Sequence, residues 1–219
     1  MSIFETGLQK NSANYVPLSP VSFLRRAAQI VPEHTAIIDG KRKYTYSEFW
    51  QRSSKLASAL NNRGIGSGDC VAILAGNIPE MLEAHNGVPM VGAILNSLNT
   101  RLDPQTICFI LNHGEAKVLL ADCTFSEALQ QVVENLEREI LIIDISDPDT
   151  DYQNTIGEID YETFICINPA IFSVGSADIT AASSLELYFT RLDCVVDVSA
   201  VTPPITSTLT VMLYNSAVP

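Results

Sequence analysis

The sequence predicts an α/β fold, a mostly parallel sheet with flanking helices, and three observations carry that expectation. Short aliphatic runs recur at Asp69–Ala75, Lys117–Ala121 and Glu139–Asp144, each of strand length and bounded by turn residues. The stretches between them place apolar residues at helical period. Strands joined through helices of about ten residues or more form βαβ units, because parallel neighbours need a long crossover and tight turns serve antiparallel ones.

Each element has a local reason. Ser19-Pro20 reads as N-cap and first residue of a helix whose inward stripe is Phe23, Leu24, Ala27, Ala28 and Val31, with Pro32 as its stop. Ala36-Ile37-Ile38 is a short strand, and Asp39-Gly40 turns it back into Lys43-Tyr44-Thr45. Thr45 and Glu48 have capping-box spacing ahead of Phe49, Trp50, Ser53, Leu56, Ala57 and Leu60, and Gly64 ends that helix. Asn77-Ile78-Pro79-Glu80 starts the next one, with Met81, Leu82, Ala84 and His85 along it, and Ala93-Ile94-Leu95 is a strand. Asp103-Pro104 caps a helix with Ile107, Ile110 and Leu111 inward and Gly114 at its end. Phe125–Glu137 completes the helices before the Glu139–Asp144 strand.

Beyond Asp144 the character changes. An acidic loop covers residues 145–160, and from Tyr161 to Pro219 one basic residue, Arg191, faces five acidic ones. β-branched runs such as Thr208-Leu209-Thr210-Val211-Met212-Leu213 replace helical periodicity. The expected organisation is residues 1–164 as one unit and 165–219 as a divergent tail.

Composition excludes several classes. The 219 residues are 47% hydrophobic and 17% charged, a globular composition. A net charge of −12 opposes nucleic acid and anionic membrane surfaces, since both need a basic face. No uncharged apolar run reaches the roughly 18 residues that a membrane span needs. Cys70, Cys108, Cys123, Cys166 and Cys194 are odd in number and form no CxxC pair, the pattern of buried thiols in a reducing compartment. Residues 1–10 lack an apolar leader core and the chain closes on Ala217-Val218-Pro219, so the expectation is an intracellular protein, cytoplasmic or peroxisomal, with no C-terminal peroxisomal signal.

Candidate sites read as scaffold. Gly64, Gly66 and Gly68 follow a helix and precede a strand, whereas a pyrophosphate turn follows a strand and opens a helix. No GxxxxGK[ST] loop or GxSxG elbow occurs. Asp147, Asp149, Asp151 and Glu158 match positions 1, 3, 5 and 12 of a calcium loop, but Tyr152 stands where its turn needs glycine. His113 at a helix C-terminus reads as a dipole-compensating cap, His85 sits on a helix of mixed polarity, and His34 has no metal-ligand neighbour. Lys41-Arg42-Lys43 reads as a solvated sheet edge. A flavodoxin-like nucleotide binder fits the βα pattern but has no phosphate loop.

Several segments, in order, resemble the opening of the AMP-forming acyl-activating superfamily. Pro17-Leu18-Ser19-Pro20-Val21-Ser22-Phe23-Leu24-Arg25-Arg26-Ala27-Ala28 resembles the first helix of its plant acyl-CoA synthetase-like members. Lys43-Tyr44-Thr45-Tyr46-Ser47-Glu48-Phe49 matches the threonine-tyrosine-x-glutamate element, and Gly68-Asp69-Cys70-Val71-Ala72-Ile73-Leu74 with Asn77 and Glu80 its glycine-aspartate strand and following helix. Glu83-Ala84-His85-Asn86-Gly87-Val88-Pro89-Met90-Val91-Gly92-Ala93-Ile94-Leu95-Asn96, with Asn99, Arg101 and Leu102, is similar to the subgroup acting on short-chain, medium-chain and aromatic acids.

The resemblance implies the N-terminal part of the adenylate-forming fold and a two-step ligase chemistry linked to fatty acid metabolism. A carboxylate attacks the α-phosphate of ATP with Mg²⁺, pyrophosphate leaves, and coenzyme A displaces AMP. In the family, a Ser/Thr/Gly-rich loop ending in Pro-Lys-Gly and a lysine of a mobile C-terminal domain serve that chemistry. Here the nearest mimic, Ser173-Val174-Gly175-Ser176-Ala177, lacks the Thr-Gly run and the lysine. The matched residues Thr45, Glu48, Gly68, Asp69, Asn77 and Gly92 are scaffold positions. The expectation is therefore a truncated acyl-activating chain, inactive alone, with no catalytic, cofactor-binding or metal residue and no cofactor of its own. The other reading is a non-catalytic module that pairs with a full-length relative.

Overall fold

The computed structural model describes Gly7, Tyr15 and residues 19–146 and 154–166. Helix α1 (Pro20–Ile30) leads into an antiparallel hairpin, β1 (Thr35–Asp39) and β2 (Arg42–Thr45), then α2 (Tyr46–Asn62). The parallel sheet follows: β3 (Cys70–Leu74), α3 (Pro79–Met90), β4 (Ile94–Ser97), α4 (Pro104–His113) and β5 (Ala116–Asp122). A 3-10 turn (Cys123–Phe125), α5 (Ser126–Val133), β6 (Leu141–Ile145), β7 (Ile159–Asp160) and α6 (Tyr161–Cys166) complete it. The strand order is β4-β3-β5-β6-β7, with every pairing parallel.

Alternation along the buried strands divides the core in two. Val71, Ile73, Val118, Leu120, Ile143 and Ile145 face α2, α3 and α6, meeting Leu56, Leu60, Ala84, Val88 and Phe164. Ala72, Leu74, Leu119, Ala121 and Ile142 face the other way, toward Ile107, Leu111, Leu129 and Val132 of α4 and α5. A sheet covered on both faces explains why its strands read as continuous apolar runs. Each fully buried aliphatic side chain contributes about 1.5–3 kcal/mol. A third cluster joins α1 and the hairpin to the far side of α2 through Val21, Leu24, Ile37, Trp50 and Ala57.

Helices α2 and α4 begin on side-chain caps, whereas Ser19 precedes α1 without a side-chain cap bond. Thr45 accepts from the Glu48 N–H at 3.2 Å while the Glu48 carboxylate accepts from the Thr45 N–H at 2.7 Å, a complete capping box. Asp103 accepts from the Thr106 N–H at 3.0 Å. Helices α2 and α3 approach so closely that a Cβ on Gly87 would lie 2.7 Å from the Ser53 carbonyl oxygen. Glycine is required there by space.

Four local expectations are corrected. Phe23 is 58% exposed, and the inward stripe of α1 is Val21, Leu24 and Ala28. At about 100° per residue, Phe23 points roughly 200° away from Val21. The helix expected over Phe125–Glu137 is a 3-10 turn and a shorter α5, because Asp122 captures the Thr124 N–H and starts the turn early. Helix α3 starts at Pro79 behind Ile78, not at Asn77. Arg42 is not a solvated edge residue: it lies 2.5 Å from Asp39 and 2.8 Å from Glu80. The tail beyond Cys166 lies outside the described residues. Among the described residues, no helix is long and apolar enough to cross a membrane.

Candidate functional site

In an open parallel sheet, ligands approach the carboxyl ends of the strands where the chain reverses its direction of travel. Here that point lies between β3 and β5, since β4 adds on one side of β3 and β5 on the other. Three successive strand ends at this edge carry an aspartate. Asp122 accepts from the N–H groups of Thr124, at 2.9 Å, and Gly76, at 3.3 Å, and from the Thr124 hydroxyl. Asp144 accepts from the N–H groups of Ile156, at 3.1 Å, and Gly157, at 2.9 Å. Asp160 accepts from the N–H groups of Glu162, at 2.7 Å, and Thr163, at 3.3 Å. Gly157 itself packs on the sheet, where an added Cβ would meet the Ile142 carbonyl oxygen at 2.6 Å.

These carboxylates are loop anchors. Charge-assisted bonds to backbone N–H groups fix where each crossover leaves the sheet. A triphosphate would need those same N–H groups, or cations, and would meet carboxylates instead. These three carboxylates therefore do not form a triphosphate cradle. Cys123 lies among them with its Sγ 3.7 Å from Ser146 Oγ; burial, opposed by the Ser146 contact and reinforced by Asp144, Asp122 and Asp160, pushes its thiol up.

A second polar cluster sits in the helical layer. Arg52 of α2 donates through Nε to Glu83 of α3 at 2.5 Å and through its terminal nitrogens to Glu162 of α6 at 2.9 and 2.5 Å. The Tyr161 hydroxyl donates to the other Glu83 oxygen at 2.8 Å, and the Tyr44 ring lies 5.2 Å from the guanidinium. Burial pushes the Glu83 carboxyl up, and it stays raised although Arg52 and Tyr161 oppose that shift. Burial likewise raises Glu80, helped by Glu83 and opposed by Arg42 and Arg52. Tyr161 is raised well above the ordinary tyrosine value by burial and then by Glu83, so its hydroxyl remains a donor at neutral pH. Burial alone would lower Arg52; its bonds to Glu162 and Glu83 outweigh that and leave it raised. Glu80 Oε2 and Trp50 Nε1 are buried with no hydrogen-bond partner.

A shallow groove of about 310 Å³ lies at the opposite edge, lined among others by Asp69, Cys70, Asn96 and Lys117. Lys117 Nζ is 2.6 Å from Asp69 Oδ1, and that bond, with one from the Gly66 N–H, lowers the Asp69 carboxyl. The amino ends of the strands are the wrong edge for the ligands of such sheets.

The sequence candidates are not brought together. Gly64, Gly66 and Gly68 form the turn between α2 and β3, as expected. His113 closes α4 and stacks on Phe109 with ring centroids 5.4 Å apart, while His85 Nδ1 contacts the Met81 carbonyl oxygen at 2.8 Å. Of the calcium spacing only Glu158 is described; Asp147, Asp149 and Asp151 lie outside the described residues. Among the described residues no group of three or more His, Cys, Asp or Glu side chains could hold a metal ion. Cys70, Cys108 and Cys123 are buried and Cys166 is exposed. Sequence reasoning missed Arg52 and Glu83. The sequence carried little signal for them, since their neighbours three and four residues away on the same helix face are mixed, Glu48, Phe49, Lys55 and Leu56 for Arg52 and Pro79, Glu80, Asn86 and Gly87 for Glu83.

Comparison with known proteins fits this geometry. A family model of AMP-binding enzymes matches residues 24–180. The chain is 41% identical over 170 residues to an acetate–CoA ligase of Humulus lupulus, covering 72% of this chain and 30% of that protein. It is 48% identical over 118 residues to a peroxisomal acetate/butyrate–CoA ligase of Arabidopsis thaliana, covering 54% and 21%. It is 43% identical over 129 residues to a peroxisomal trans-cinnamate:CoA ligase of Petunia hybrida, covering 59% and 23%. Among solved structures, an anthranilate CoA ligase in complex with anthranoyl-AMP superposes with a TM-score of 0.64 at 23% identity, over 72% of this chain and 30% of that one. A benzoate CoA ligase from Burkholderia xenovorans gives 0.60 at 22%, over 71% and 30%. The chain thus spans 21–30% of the length of these relatives, and matches their N-terminal part. On the family match over most of its described residues, carried on a parallel sheet of the same fold, the chain belongs to the AMP-binding enzyme family.

Proposed function

We propose that this chain supplies the N-terminal scaffold of an AMP-forming carboxylate–CoA ligase and does not activate an acid by itself. The observation that carries the reading is the fate of the polar groups at the carboxyl edge of the sheet. Asp122, Asp144 and Asp160 are each committed to backbone N–H groups, those of Thr124 and Gly76, of Ile156 and Gly157, and of the first turn of α6, so these carboxylates serve as anchors of the scaffold. The reacting groups, and the ATP, Mg²⁺ and coenzyme A they handle, belong on this reading to the part of the fold that completes the relatives. Acetate, butyrate and cinnamate in the names of those relatives support a short-chain or aromatic acid as the parental substrate class. The peroxisomal relatives support that compartment beside the cytoplasmic one.

The test is a thermal-shift titration of the purified chain with ATP and Mg²⁺. A ligand that binds the folded state raises its melting temperature by linkage, by an amount set by RT ln(1 + [L]/Kd). A cooperative melt that ATP leaves unmoved supports the scaffold reading; a saturable rise sinks it. A second reading, a module that pairs with a full-length relative, draws on the exposed Phe23 and Ile30 of α1 and Phe109 of α4. Co-purification with an intact ligase, lost on changing Phe23 and Ile30 to serine, would favour it.

A further inference from the structure

Helix α6 has little of its own to hold it. It is six residues long, too short to persist as an isolated helix, and it follows a strand of two residues. Its inward side is apolar: Tyr161, Phe164 and Ile165 enter the cluster formed with α2 and α3. That burial carries a cost, because Glu83 of α3 lies in the same interface with 0% exposure. An isolated carboxylate there would be strongly destabilising.

Arg52 resolves the conflict from the third element. Its Nε serves Glu83 and its two terminal nitrogens serve Glu162, so one planar fork spans α3 and α6 from α2. The second Glu83 oxygen takes the Tyr161 hydroxyl, which comes from α6 itself. Other charged and titratable groups around the cluster are Glu80 on α3, Arg42 and Tyr44 on β2, Asp39 on β1, and Arg63 at the end of α2, whose guanidinium lies 5.9 Å from the Phe164 ring of α6; Arg42 takes Glu80 and Asp39. That leaves Arg52 as the cation bonded to Glu83.

We propose that Arg52 is a positioning residue that latches α6 onto α2 and α3, acting by neutralising Glu83 and not by the packing of its aliphatic stem. A lysine cannot reproduce it, since a single ammonium lacks the fork geometry that serves both carboxylates at once. The functional weight of the latch rests on the ligase reading above. The family match includes all of α6, Tyr161–Cys166, so the latched helix is part of the region shared with the AMP-binding enzymes. The latch itself stands on the fold alone.

Hydrogen exchange on the full chain tests it. Arg52→Met keeps the stem and removes the charge, and raises exchange of the amides across residues 162–166 by at least about tenfold more than those of β3 and β5, the scale of one lost charge-assisted bond. Adding Glu83→Gln to that variant removes the orphaned charge while leaving an amide for Tyr161, and restores the part of the protection that the buried charge cost, the part carried by the two Glu162 bonds staying lost. Arg52→Lys opens the same amides by a smaller factor and keeps the test available if the methionine variant does not fold. Exchange that rises equally in α6, β3 and β5, or that Glu83→Gln fails to restore, overturns the latch. A latch that holds in a chain indifferent to ATP is the expected joint result; a failed latch would leave the ATP titration untouched.

Discussion

Two sets of buried carboxylates stabilise different things in this molecule. At the carboxyl edge of the sheet, Asp122 and Asp144 take backbone N–H groups, from residues 2 to 46 positions away in sequence. In the helical layer, Glu83 takes a guanidinium from 31 positions away, and that guanidinium also holds Glu162, 110 positions from it. The first set uses donors that the chain itself brings past the strand ends. The second exists only once three helices have assembled. Anchors of the first kind hold backbone at the strand ends, including the Gly76 loop after β3 to the end of β5, whereas the second kind holds helices to one another through side chains.

That contrast orders the expected effects of mutation. Arg52→Ala strands a fully buried carboxylate, and loss of one partner of such a pair costs about 3–5 kcal/mol. Urea unfolding checks it, and a loss below about 1 kcal/mol would mean that water reaches Glu83. Next is Gly87→Ala, where the new Cβ meets the Ser53 carbonyl oxygen and pries α2 from α3, costing about 1–3 kcal/mol by overpacking. The same denaturation curve reads it, and an unchanged midpoint would show that the helices can slide apart freely. Asp144→Ala leaves the Ile156 and Gly157 N–H groups without their acceptor, a penalty of about 1–3 kcal/mol. Its exchange effects are expected to stay within residues 154–160, in contrast to those of Arg52→Met.

The smallest expected effect is a slope. Glu83 has a folded pKa raised above its usual 4.5, so the folded state holds its proton more tightly than the unfolded chain does. That stability is fully present below about pH 4.5 and is lost as pH rises through the raised value. Asp69, lowered by Lys117, has the opposite sign: its contribution is present above the ordinary aspartate value and lost as pH falls through the folded one. Glu83→Gln is therefore expected to lose less stability than the parent as pH rises from about 4.5 toward neutrality. Equal slopes in paired urea titrations would show that Glu83 takes up no extra proton on folding.

Much of the scaffold was legible because its causes are local. Thr45 and Glu48, Asp103 with Thr106, and the apolar runs at Val71, Leu119 and Ile143 act on neighbours within a turn or along one strand. Phe23 was misread because periodicity alone does not say which side of α1 meets the hairpin. Strand β7 went unseen because two residues carry no pattern, and no short window of sequence marks Asp122, Asp144 and Asp160 as anchors of backbone N–H groups.

By itself, then, the sequence determined that strands and helices alternate, that the strands are buried, and where α1, α2 and α4 start, since propensity, periodicity and capping act over a few residues. Only the tertiary structure decided that β3 lies between β4 and β5, that the strand-end aspartates are anchors, and that Arg52, Glu83 and Glu162 meet. Burial and charge pairing depend on which distant elements come together, and no short window of sequence contains that information.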